Sequence, residues 1–321
     1  MKQRRGVRVL LLAWLALNVA SRHSVAQVPA SKNPLAGRWD LTLTTPAGEL
    51  PSWIEVSSPG EGDLKVLFVG MMDHAVPPKD LEIKGSEFQF VSPKGEEGFP
   101  HDMLFKGKLA RGKLVGTVTD SAGDNWPLAG VRAPLLDSKS APQWGLPIKL
   151  FNGVDLFGWT LRDPGKSSSW KVEHGELITT GRGSDLVTTA KFGDFKLHVE
   201  FKNGTSTNSG VYLRGRYELQ IETDEAAQTG EFHTGGIYGF LAPNPEQPRV
   251  PGVWQAFDVT LVGRRLTVLQ NGITVIDNRE IPGITGGALD SNEALPGPIY
   301  LQGSEDGPVA FRNIVIRPAK D

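Results

Sequence analysis

The most regular pattern in the chain runs from Phe195 to Glu222, where apolar and polar residues alternate with a period of two. This is the signature of strands with one buried and one wet face. Leu197, Val199 and Phe201 point one way, and Lys196, His198 and Glu200 the other. Val211 and Leu213 oppose Tyr212 and Arg214, while Tyr217, Leu219 and Ile221 oppose Glu218, Gln220 and Glu222. Asn203-Gly204, Asn208-Ser209-Gly210 and Gly215 separate the runs and tolerate the positive φ of turns. If the three runs pair in one sheet, Glu200, Arg214, Glu218, Gln220 and Glu222 share a polar face. That face is expected to be the floor of a site.

Short strand-like segments fill the rest of the chain. Within 35–134 the segments 39–43, 53–56, 64–69, 81–83, 87–91, 103–109 and 113–118 predict a small all-β barrel or sandwich. Gly37-Arg38-Trp39 resembles the opening of lipocalin-type barrels. His74, His101 and Asp102 lack ligand spacing and are expected as solvated loop residues. Residues 135–147 have a linker's composition, rich in proline and small polar residues without periodicity. The unit from 148 to 318 adds further strand segments and an Asn271-Gly272 hairpin turn, with no amphipathic helix. Two antiparallel sheets packed face to face are the expected architecture, and the fold class is all-β.

A chain of 321 residues is long enough for two such units. A formal net charge of −2 gives no field that would recruit nucleic acid or an anionic membrane. The absence of cysteine excludes disulfides, thiolate metal sites and cysteine nucleophiles. Residues 1–26 read as an export signal. Lys2, Arg4, Arg5 and Arg8 precede an apolar stretch too short for a bilayer, and Ser24-Val25-Ala26 offers a cleavage site. The expected location is periplasmic or extracellular, with no membrane association after cleavage.

Several motifs of the second unit carry a resemblance. Phe151-Asn152-Gly153, Asp155-Leu156, Gly158-Trp159, Trp170, Phe192-Gly193-Asp194-Phe195, Asn208 to Arg214, Tyr217 to Ile221, Leu301-Gln302 and Phe311 to Ile314 occur in that order. In this the unit resembles the 3-keto-disaccharide hydrolase domain family. The resemblance implies a concanavalin A-like jelly roll and cleavage of glycosidic bonds in sugars oxidised at C3. Many members carry a histidine shortly after the late Leu-Gln pair, where this chain has Gly303-Ser304-Glu305-Asp306.

A 3-keto group acidifies the C2 proton. A base can remove it and expel the C1 substituent, after which water adds to the unsaturated product. Such a reaction needs a base near C2, a stabiliser for the enolate and an acid at the leaving oxygen. Glu218, mid-strand on the polar face, is the first candidate for base. Glu200, Glu222 and His233 are candidates for acid, and Arg214, Gln220, Asn208, Tyr238, Trp254 and Gln302 for sugar contacts. Clustered oxygen donors also suit Ca²⁺, Mg²⁺ or Mn²⁺ as Lewis-acid help, and no organic cofactor is expected. Two rival readings stand beside this one. Glu218 and Glu222 on one strand face suit a conventional retaining glycosidase, and a disabled cleft would leave a carbohydrate-binding protein without turnover. In each case the partner is a carbohydrate.

Overall fold

Alternation of apolar and polar residues is realised as strand through both halves of the chain. The computed structural model describes residues 33–58, 64–70, 74–94, 101–136, 141–181, 183–223, 230–304 and 307–320. The export-signal expectation for 1–26 and the Glu305-Asp306 substitution lie outside the described residues. Among those residues no α-helix forms, and the one helical turn is a 3₁₀ segment at Gly230–Phe232.

Nine antiparallel strands between 37 and 132 make the first sheet. Each pairs with its sequence neighbour except the fourth, Ala75–Val76, and fifth, Lys79–Lys84, and the first, Gly37–Thr45, pairs with the ninth, Asn125–Arg132. Alternate side chains turn inward and fill the barrel with Trp39, Phe68, Phe90, Phe105 and Val118. Phe90 and Phe105 stack with centroids 4.8 Å apart. Each such residue contributes about 1.5–3 kcal/mol by leaving water. The strand Asn125–Arg132 escapes the sequence pattern because Pro127 interrupts it. Pro127 sits one residue beyond the stretch paired to the first strand, so its missing N–H breaks no bond there.

The second half is a two-sheet sandwich. The larger sheet runs Trp170–Glu173, Glu176–Thr179, Val309–Pro318, Phe195–Asn203, Gln255–Val262, Arg265–Gln270 and Ile273–Glu280, with Ile148–Lys149 also on Val309–Pro318. The smaller sheet runs Trp159–Leu161, Leu186–Thr188, Tyr300–Leu301, Asn208–Leu213 and Tyr217–Glu222. Leu197, Val199, Phe201, Phe257 and Phe311 from one sheet meet Val211, Leu213, Tyr217, Leu219 and Ile221 from the other in a common core. Trp159 and Trp170 are buried in it, as packing residues should be.

Two expectations are corrected. The three alternating runs do not share a sheet: Phe195–Asn203 belongs to the larger one. Both flanking strands carry an apolar face, so the chain crosses the sandwich at 204–207 and lets those faces meet, instead of forming a hairpin. His74 is also not a solvated loop residue. Its ring lies edge-on to Phe232 at 4.8 Å and to Tyr238 at 6.4 Å, where the barrel meets the sandwich. His101 is exposed, and Asp102 accepts the Lys94 amide at 2.8 Å.

Candidate functional site

The smaller sheet turns its odd-numbered residues along Asn208–Leu213 and Tyr217–Glu222 into the core, which leaves the even-numbered ones on its other face. Register then fixes which of these meet. Val187 lies opposite Tyr300, Tyr300 opposite Tyr212 and Tyr212 opposite Glu218, giving one row across four strands. The next row is set by backbone bonds from Arg162 to Asp185 and from Gln302 to Gly210, with Gly210 opposite Gln220. Asn208 opposite Glu222 begins the third. Of the sequence candidates, Glu218, Gln220, Glu222, Asn208 and Gln302 therefore converge on one polar face.

Gly210 explains how the rows mesh. Glu218 leans sideways into the space a side chain would take, and a Cβ on Gly210 would stand 2.5 Å from Glu218 Oε1. Tyr212 Oη lies 2.8 Å from Glu218 Oε2 and 2.9 Å from the Gly286 carbonyl. A phenol has one proton for these two acceptors. Both contacts are satisfied when Glu218 is itself protonated, donating to Tyr212 while Tyr212 donates to Gly286. The electrostatics agree. Burial pushes the Glu218 carboxyl up to about 8, the Asp185 and Glu222 charges add to the shift, and the Tyr212 bond opposes it. Burial first and the Glu218 charge second hold Tyr212 well above the usual phenol range, so it remains a neutral donor.

Beside this pair, Tyr300 stacks on Tyr212 with centroids 4.1 Å apart. Arg162 Nη1 donates to Tyr300 Oη at 2.9 Å, and Tyr300 donates to Asp185 Oδ2 at 2.9 Å. Asp185 Oδ1 takes the Gly303 amide at 2.8 Å. Both polar atoms of the Gln220 side chain, and Gln302 Oε1, are buried with no bond inside the protein. A buried, unbonded amide is costly, which makes this face a candidate for a polar partner beyond the protein's own groups. Among the described residues no three histidine or carboxylate side chains are grouped to hold a metal ion.

The other candidates lie elsewhere. Glu200, on the larger sheet, accepts from Arg312 Nε at 2.6 Å and from Asn313 at 2.7 Å. Trp254 lies beneath Arg312 and Lys202 on that same outer surface, 4.0 and 4.6 Å from its ring centre. Arg214 is not on the Glu218 face. Its φ of 53° turns it out of the strand alternation, and its guanidinium sits 5.4 Å from the Tyr217 ring and bonds the Gly263 carbonyl. His233 is buried with Nδ1 2.9 Å from the Thr234 carbonyl and Nε2 3.9 Å from Glu246. Tyr238 packs on Phe232 and His74, and its backbone amide donates to the Glu218 carbonyl.

Sequence reasoning missed Arg162, Asp185 and Tyr300, and gave Tyr212 no role. Tyr212 was already on the polar side of the alternation, which was the one signal available. The other three sit on or beside strands of two or three residues, too short to show a period.

A domain model described as 3-keto-alpha-glucoside-1,2-lyase-like matches residues 146–317, just over half of the chain. No curated protein matches. Two Parabacteroides distasonis structures provisionally assigned as glycosyl hydrolases are similar. One is 28% identical over 58% of this chain and 94% of its own, with a TM-score of 0.46. The other is 21% identical over 54% and 94%, with a TM-score of 0.44. The Bacillus subtilis carbohydrate-binding module CBM66 is 14% identical over 49% and 93%, at 0.35. By the extent of the domain match, this chain belongs to the 3-keto-alpha-glucoside-1,2-lyase-like domain family.

Proposed function

We propose that the protein is an exported enzyme that cleaves glycosides already oxidised at C3, with Glu218 as the proton-transfer group. The observation that carries this reading is a buried carboxyl held near pH 8, bonded to a neutral phenol and flanked by the unbonded amide of Gln220. A carboxylate of raised pKa is a stronger base than a solvated one and better matched to a carbon acid. Glu218 takes the C2 proton, and the electron pair of that C–H bond forms the enolate of the 3-ketone. Arg162, which has N–H donors beyond the one given to Tyr300, donates to the enolate oxygen, while Tyr212 keeps its single proton for Glu218 or Gly286. The C1–O bond then breaks, leaving a double bond between C1 and C2. The departing oxygen takes back the proton that Glu218 holds. Water adds across the double bond to complete a net hydrolysis. Gln220, Gln302 and Asn208 are assigned to sugar hydroxyls and Glu222 to the incoming water.

A second reading has one observation in its favour. Glu222 raises the proton affinity of Glu218, and a protonated carboxyl beside a second carboxylate is the acid-and-nucleophile pattern of retaining glycosidases.

The test is to incubate the purified protein with 3-keto and unoxidised disaccharides in D₂O and H₂O, with and without chelator. The expected result is cleavage of the oxidised sugars alone, with deuterium entering C2. The rate, kcat/KM, should rise about tenfold per pH unit up to a plateau above about pH 8, where Glu218 is ionised. Loss of turnover on chelation would bring a divalent cation into the site. Cleavage of unoxidised sugars that disappears in Glu222→Gln would favour the retaining glycosidase. Saturable binding without product from either class would make this a binding protein and end the proposal.

A further inference from the structure

Both backbone polar groups of Glu218 point away from its partner strand, because Tyr212 and Glu218 form a pair that exchanges no backbone bonds. They are taken up by two different segments. The Glu218 amide donates to Thr285 Oγ1 at 3.0 Å, and its carbonyl accepts from the Tyr238 amide at 3.1 Å. The segment around Tyr238 continues along the edge with bonds between Gln220 and both Gly235 and Gly236. The segment around Thr285 also supplies the Gly286 carbonyl to Tyr212, and its Leu289 amide bonds the Gly215 carbonyl at 2.8 Å.

Each segment is in turn backed by the barrel. His74 packs edge-on against Phe232 and Tyr238, and a side chain on Gly239 would collide with it. Trp53 leaves the barrel's own core and joins that of the sandwich. There its ring stands edge-on to Phe240 at 5.6 Å and lies where a side chain on Gly283 would be. Further along the Thr285 segment, the Ser291 hydroxyl donates to the Leu41 carbonyl of the first barrel strand. The barrel thus touches both segments that hold Glu218.

We infer that the barrel is a clamp on the two segments that fix Glu218 and Tyr212, with Trp53 and His74 as its positioning residues. Nothing in the barrel need bind substrate for this. Its packed interior serves to hold Trp53 and His74 rigid. The kinetic part of the inference rests on the function proposed above, while the structural part does not.

The experiment uses the full chain with Trp53→Ala, Trp53→Phe and His74→Ala, and reads amide exchange together with steady-state kinetics. With a clamp, the Glu218 and Leu289 amides exchange at least about tenfold faster in Trp53→Ala and His74→Ala, while amides of Gln255–Val262 keep their protection. Trp53→Phe retains most of the protection. On 3-keto substrate the two alanine variants lose about tenfold in kcat with KM little changed. The midpoint of the rising limb of their pH profile moves down from about pH 8, because a loosened Glu218 is more solvated. Unchanged exchange at Glu218 and Leu289, or equal acceleration through the whole molecule, overturns the clamp. Should Trp53→Ala fail to fold, His74→Ala decides alone by the same readings. If exchange responds as stated but the wild-type protein turns nothing over, the clamp stands and the proposed function falls.

Discussion

The two sheets of the sandwich carry the same chemical types on their polar faces and use them differently. On the larger sheet Glu200 is bonded by Arg312 and Asn313, and His198 by Asp258, all open to solvent. These charges are paired with one another and partly exposed. On the smaller sheet Glu218 is buried with no cation bonded to it, and the side-chain amide of Gln220 has no protein partner. Residue type does not separate the two faces. What separates them is desolvation without compensation, which shifts proton affinity and leaves bonds to be made by a ligand.

The sharpest way to break this comparison is to neutralise one glutamate on each sheet. Glu218→Gln should lower kcat on oxidised sugars by about 10³, since it removes the proton acceptor and leaves the shape. Glu200→Gln should leave turnover within about threefold and cost at most about 1 kcal/mol, as exposed pairs do. Equal losses of turnover in both variants would mean that the paired face, too, takes part in the reaction.

A finer test sharpens the claim about unbonded groups. Gln220→Leu replaces two unsatisfied polar atoms with apolar ones of similar size. Stability should stay the same or rise by about 1 kcal/mol, while KM for the saccharide rises about tenfold. A lower melting temperature with KM unchanged would show that Gln220 is a structural residue. Unbonded atoms alone are not sufficient evidence, because Asn203 at the end of the other sheet's strand also has two. At Gln220 they coincide with Glu218, Glu222 and Gln302 on one face.

How far this face was legible in the sequence follows from the same geometry. Alternation over Tyr217–Glu222 set Glu218, Gln220 and Glu222 on one side correctly, because a strand's period of two is local and survives any tertiary arrangement. Arg214 failed because one residue with positive φ ends the period. Glu200 failed because alternation cannot say which sheet a strand joins, and both halves of a sandwich present the same pattern. Asp185, Arg162 and Tyr300 reach the face through pairings between residues more than a hundred positions apart, from strands too short to show a pattern. The barrel was legible as a set of short strands, yet the inward turn of Trp53 toward the sandwich was not. Nothing local distinguishes a tryptophan packed in its own core from one packed in a neighbour's.

The smallest expected effect separates raised proton affinity from a site. Asp40, on the first barrel strand, is pushed up to about 8, chiefly by burial and then by the Glu293 carboxylate, with Arg264 and Arg216 opposing. Glu293 is also held by the Tyr217 hydroxyl at 2.7 Å and by Arg264 at 2.8 Å. Here the raised acid lies beside a carboxylate that a phenol and a guanidinium already hold, and its one unbonded atom is its own Oδ1, whereas at Glu218 the unbonded atoms belong to a neighbouring amide. The folded protein keeps a proton that the unfolded chain gives up between about pH 4 and 8. Stability from this group is therefore complete below that window and falls as pH climbs through it. Asp40→Asn retains a donor toward Glu293 and abolishes the titration. Its melting temperature should match the wild type below about pH 4 and exceed it increasingly up to about pH 8, by on the order of a few kcal/mol in stability. Turnover at a fixed pH should hold in the same variant. Melting curves that stay parallel across the range would place the retained proton elsewhere. A loss of turnover with the curves unmoved would instead tie Asp40 to the polar face and dissolve the distinction between the two buried acids.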